Sequence, residues 1–103
     1  MDIVIRSTPD CPNVPEAQTR LYQALREASL GTVEVRLEVV ETQEDAERLD
    51  FHGSPAIVID GTDPFADPDA PVGFACRLYS TPHGRDAVPS VAQIREALER
   101  SAS

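Results

Sequence analysis

The sequence predicts an α/β fold with a mixed four-stranded sheet, on three observations. An apolar run, Ile3-Val4-Ile5, precedes a turn and then a segment with helical periodicity. A stretch with a period of two, Val33 to Val39, comes next. A third run, Ala56-Ile57-Val58-Ile59, is apolar at every position, as a strand covered on both faces must be.

Each element has its own justification. Ile3-Val4-Ile5 reads as a short buried strand. After the Pro-rich turn Thr8-Pro9-Asp10-Cys11-Pro12, the residues Val14, Ala17, Leu21, Leu25 and Ala28 recur at helical spacing, and Gly31 is placed to end that helix as a left-handed cap. The helix has two possible starts. Pro12 is its first residue with Cys11 as cap, or Asn13 caps and Glu16 completes a capping box. Val33, Val35, Leu37 and Val39 alternate with Glu34, Arg36 and Glu38, which marks a half-exposed strand. Thr42 can cap a short helix with Ala46 and Leu49 inward. Cys76-Arg77-Leu78-Tyr79 reads as an edge strand with Cys76 buried beside Leu78. Ser90 and Gln93 form a capping-box pattern for a last helix carrying Val91, Ile94 and Leu98.

The expected order is β-α-β-α-β-β-α in a single domain, 1–103. The first three strands are expected to lie parallel, in the sheet order second, first, third, fourth. The Ala56 strand belongs inside the sheet, and the Cys76 strand is antiparallel at one edge. The stretch 61–75, with Pro64, Pro68 and Pro71, is long for a loop between neighbouring strands.

Composition narrows the function. The formal net charge is −9, which disfavours nucleic acid and anionic membrane surfaces as partners. All 9 basic residues are arginine, so lysine Schiff-base and phosphate-loop chemistry are excluded. No apolar run approaches a membrane span, and Met1 to Arg6 does not read as a secretory signal, so a cytoplasmic location is expected. The 2 cysteines, Cys11 and Cys76, are too few for a disulfide scaffold. His52 and His83 read as surface and turn residues and share no metal-ligand spacing with the cysteines, so no metal or other cofactor is expected. The acidic loop residues Asp60, Asp63, Asp67 and Asp69 lack the ligand order of a calcium loop.

A cysteine placed between the first strand and a helix, with Gly53-Ser54-Pro55 leading into the Ala56 strand, resembles the thioredoxin superfamily. The resemblance implies that Cys11 is the nucleophilic thiol and that Pro55 is a cis-proline facing it. It also implies that Ser54 offers its backbone amide and carbonyl to an extended substrate. A thiol reacts as thiolate, and a helix N-terminus favours that form. The redox motif of the family is C-x-x-C, whereas here it is Cys11-Pro12-Asn13-Val14. Val14 replaces the second thiol, so a mixed disulfide on Cys11 has no resolving partner within the motif. Asp10 stands where that family has tryptophan, and Ala56 where it commonly has threonine.

A second stretch, Asp60-Gly61, Asp63-Pro64-Phe65 and Gly73-Phe74-Ala75-Cys76-Arg77-Leu78-Tyr79, is similar to short bacterial thioredoxin-like chains labelled as organomercurial lyase relatives. That similarity implies a soft-metal or organomercurial thiol site using Cys11 and Cys76, with Asp10 nearby. The leading expectation is monothiol thiol–disulfide exchange through Cys11, with a protein or small-molecule thiol or disulfide as partner and glutathione or another small thiol for resolution. The alternative of a different class is a binding module that uses the groove beside Pro55 without catalysis.

Overall fold

Ile3, Val4 and Ile5 are buried because their strand lies in the middle of the sheet. The computed structural model describes every residue except 68, 74 and 103, so Pro68 of the Pro-rich loop and Phe74 of the second motif lie outside the described residues. Strand β1 (Ile3–Ser7) is flanked by β2 (Val35–Val39) and β3 (Ala56–Ile59). β2 is parallel to β1, with Ile3 opposite Val35. β3 is antiparallel, with Arg6 opposite Ala56.

This corrects two expectations. The third strand is antiparallel, and it is the outer strand of a three-stranded sheet rather than an inner strand of four. The connection packs at one end of the sheet. It holds one short helix, α2 (Gln43–Arg48), and its Ala46 and Phe51 bury themselves against Val40 and Ala56. The chain therefore enters β3 at the end where β1 and β2 finish, with Ala56 beside Arg6 and Val39 beside Ser7.

β3 is covered on both faces, as its apolar run predicts, although it is an outer strand of the sheet. Ile57 and Ile59, with Ile3 and Ile5, face helices α1 (Val14–Glu27) and α3 (Val91–Ala102). Ala56 packs on the other side with Val40, Ala46 and Phe51. Leu21 and Leu25 of α1 meet Ile94 and Leu98 of α3 in the larger cluster, all at or below 1% exposure.

The helix ends follow local chemistry. Thr42 Oγ1 accepts the Asp45 amide, as its sequence position predicts. Ser90 and Gln93 exchange side-chain to backbone bonds at 2.9 and 3.2 Å, a complete capping box. α1 starts at Val14 with Asn13 as cap, but the Asn13 side chain makes no capping bond. Glu16 pairs with Arg20 instead. At the other end the left-handed residue is Ser29 (φ 61°), not Gly31. Leu30 N bonds to Leu25 O and Ser29 N to Arg26 O, so the helix closes in a Schellman motif two residues before that glycine.

The predicted fourth strand is displaced. β4 (Tyr79–Thr81) pairs antiparallel with β5 (Gly84–Asp86) around the turn Pro82-His83, forming a separate two-stranded sheet. Cys76 lies before β4 and meets the main sheet through one parallel bridge to Ser54. Gly73 N bonds to Phe51 O and Ser54 N to Ala75 O, so by these residues the chain is back at the starting end of β3, which gives the bridge its parallel sense. Among the described residues no helix is long and apolar enough to cross a membrane.

Core burial sets an expected ranking. Leu21→Ala, at a fully buried site, should cost about 2–5 kcal/mol. Leu37→Ala, at a site 57% exposed, should change stability by less than about 0.5 kcal/mol. Urea unfolding of the two variants checks the order.

Candidate functional site

The site is built across the ends of β1 and β3. The antiparallel register pairs Arg6 with Ala56, and two further steps set Thr8 opposite Ser54. A hydrogen bond of 3.0 Å from Thr8 N to Ser54 Oγ closes this pair. Cys11 N bonds back to Thr8 O at 3.3 Å, so the thiol sits in the turn that leaves this pair. Asp10 adopts φ 58° to make that turn. The Ser54–Pro55 peptide bond is cis, and Pro55 is buried. The cis bond is the one expected, and Ser54 touches the chain at Thr8, where the Cys11 turn begins. Cys11 is half-buried and its thiol is free. It lies two residues before the Asn13 cap, outside the helix, where the field of the helix end is weaker.

The other edge of Ser54 is taken. Ser54 N donates to Ala75 O, and Arg77 N donates to Ser54 O, each at 3.1 Å. The amide and carbonyl expected to receive an extended substrate are therefore paired with the chain's own segment 75–77. Gly53 makes this approach possible. Its φ is 123°, and a Cβ there would stand 3.0 Å from both Ala75 O and Arg77 Cβ.

The segment is held from beneath by Arg77. Its guanidinium forms a buried ion pair with Asp63, with side chains 8% and 12% exposed, and donates to the Phe65 carbonyl. It also stacks over the Tyr79 ring, 4.5 Å from the centroid. Phe65 meets the same ring edge-on at 5.8 Å. The Tyr79 hydroxyl donates to the carbonyl of Pro55, and burial pushes its pKa well above the ordinary phenol value. Asp63 shapes its own turn by accepting the Phe65 amide. In the sequence Asp63 reads only as one acid of a loop. The Asp63-Pro64 step marks a turn, but no pattern in the sequence joins it to Arg77, 14 residues on.

Cys76 differs from its expected place in the core. It is exposed, its thiol is free, and it lines a cleft of about 440 Å³ shared with His52, Phe65, Tyr79 and Gln93. Strand alternation explains the reversal: Arg77 takes the inward position, so Cys76 faces out. Among the described residues no group of three His, Cys, Asp or Glu side chains could hold a metal ion. Asp10, Cys11 and Cys76 therefore do not make a three-ligand set.

His52 also departs from the solvated role expected of it. Its side chain is 10% exposed, with Nε2 2.7 Å from Asp50 Oδ1 and Nδ1 2.8 Å from Ala70 O. Desolvation lowers its pKa, but the Asp50 carboxylate and the carbonyls of Ala70 and Pro71 outweigh that and raise it above the ordinary value. His83 sits in the exposed hairpin turn, as its sequence context predicts.

No protein-family model, curated protein or solved structure matches the chain.

Two outcomes are expected from this geometry. Asp63→Asn leaves the Arg77 charge buried without its partner and should cost about 3–5 kcal/mol in urea unfolding. The raised pKa of His52 makes its contacts fully stabilising below the unfolded value of about 6.5, and that stabilisation is lost as pH rises through the higher folded value. The stability difference between the parent protein and His52→Gln should therefore shrink on going from acid to alkaline pH. A difference independent of pH would contradict this.

Proposed function

We propose that the chain is a thioredoxin-like thiol protein that exchanges disulfides through Cys11. The observation that carries this reading is the Thr8–Ser54 pair, which sets cis-Pro55 beside the turn bearing a free, half-buried thiol. Cys11 is the nucleophile, and its partner is a disulfide or thiol on a protein or small molecule. A reducing compartment such as the cytoplasm suits a pair of free thiols. Two features set this chain apart from the pattern it resembles. Its main sheet has three strands, and its thiol stands before the helix rather than at its first turn.

A second reading rests on its own observation. The backbone groups of Ser54 are already paired with Ala75 and Arg77, which leaves an incoming extended peptide without that edge. That closed edge speaks against exchange with an extended peptide, and a binding module of this architecture meets its partner through side chains around Pro55 rather than through the backbone of Ser54.

Treatment of Cys76→Ser with glutathione disulfide, read by intact mass, separates the two. Exchange through Cys11 predicts a mixed disulfide with glutathione that is absent when Cys11→Ser is also made. Absence of the mixed disulfide in Cys76→Ser leaves the binding module.

A further inference from the structure

We infer that Cys76 is the resolving thiol for Cys11, delivered by the segment that occupies the edge of Ser54. This deepens the exchange reading and rests on Cys11 being the attacking thiol.

The residues that separate the two cysteines in the fold are few. Thr8, Ser54 and Cys76 form a lateral row, Thr8 joined to Ser54 by the side-chain bond and Ser54 to the 75–77 segment by two backbone bonds. Two strand spacings set Thr8 and Cys76 about 10 Å apart. Cys11 stands within about 7 Å of Thr8, as the ends of a tight turn do, in a molecule 36 Å long. The cysteines thus share one end of the sheet although 65 positions separate 11 from 76. In a parallel bridge the paired residues project to the same face. Cys76 therefore shares the face of Ser54, whose Oγ is already directed at the turn that leads to Cys11. Arg77, on the opposite face, anchors the segment in the core. The arrangement fixes the backbone on both sides of Cys76 while leaving its side chain exposed. No other cysteine exists in the chain to resolve a disulfide on Cys11.

The chemistry balances in two displacements. The Cys11 thiolate attacks one sulfur of a partner disulfide, forming a mixed disulfide and releasing the first partner thiolate. The Cys76 thiolate then attacks Cys11 Sγ, forming the Cys11–Cys76 disulfide and expelling the second partner thiolate. The two protons lost by the protein thiols end on the two partner thiols. The partner disulfide is reduced by two electrons, and the protein dithiol is oxidised. Two molecules of a small thiol of the glutathione class restore the dithiol and leave as their own disulfide. Closure needs the Cα atoms within ~7 Å, so disulfide formation requires the Cys11 turn, whose Pro9 and Asp10 are exposed, to move toward the 75–77 segment.

Glutathione disulfide is the probe. The parent protein, Cys76→Ser and Cys11→Ser are treated with it, quenched by acid over time, and analysed by intact mass and peptide mapping. The parent is expected to end as a monomer lighter by two hydrogens, with one Cys11–Cys76 linked peptide. In Cys76→Ser the glutathione adduct on Cys11 should persist, with a lifetime at least about tenfold longer than in the parent, because an intramolecular thiol acts at a high effective concentration. An adduct on Cys11 that lasts equally long in the parent and in Cys76→Ser overturns the inference and leaves the exchange reading intact. Absence of any Cys11 adduct in Cys76→Ser overturns both.

Discussion

Ser54 is held on both sides by its own chain, and the arrangement of the site depends on that. Its hydroxyl accepts from Thr8 on one side, and its amide and carbonyl pair with Ala75 and Arg77 on the other. Ser54 is 3% exposed, so any of these groups left unpaired would cost about 1–3 kcal/mol. The same bonds that satisfy a buried residue therefore tie the start of the Cys11 turn and the Cys76 segment to opposite sides of Ser54. Gly53 is the steric condition for this, since only a residue without a Cβ leaves room for the segment.

The Arg77–Asp63 pair supports the segment from below. A buried ion pair gives modest net stability, because desolvation offsets most of the attraction, but breaking it is costly. Here the guanidinium also satisfies the Phe65 carbonyl and lies on the Tyr79 ring, whose hydroxyl reaches Pro55. The network joins the 63–65 turn, the start of β4 and the residue at the head of β3. Phe65 and Val72 also pack against the two core clusters, so the arginine network adds to apolar anchoring on either side of it. The network also explains the exposure of Cys76. With the arginine inward, the preceding side chain must project outward.

The local elements were largely legible in the sequence. The apolar runs at 3–5 and 56–59, the helical spacing from Val14 and the caps at Thr42 and Ser90 depend on neighbours within a few residues, and each forms where the pattern places it. Gly31 misled, because Ser29 could adopt the left-handed cap two residues sooner. The juxtaposition of cis-Pro55 with the Cys11 turn was legible only through a resemblance of motif. The inward turn of Arg77 was not legible: alternation allows either parity, and a charged residue is assigned to solvent unless its buried partner is known.

What the sequence by itself determined is therefore the set of elements, their caps and the thiol-bearing turn, since these are settled by steric and hydrogen-bonding preferences over short spans. What only the tertiary structure decided is the direction of β3, the displacement of the fourth strand into a hairpin and the position of Cys76. Direction follows from where the connection packs, and Ala46 and Phe51 hold it against Val40 and Ala56 at the end where β1 and β2 finish. The position of Cys76 follows from contacts between residues far apart in the chain, Asp63 with Arg77 and Ser54 with the 75–77 segment. Such contacts form only when the folded chain brings complementary groups into a shared low-dielectric space, where a charge must find its partner.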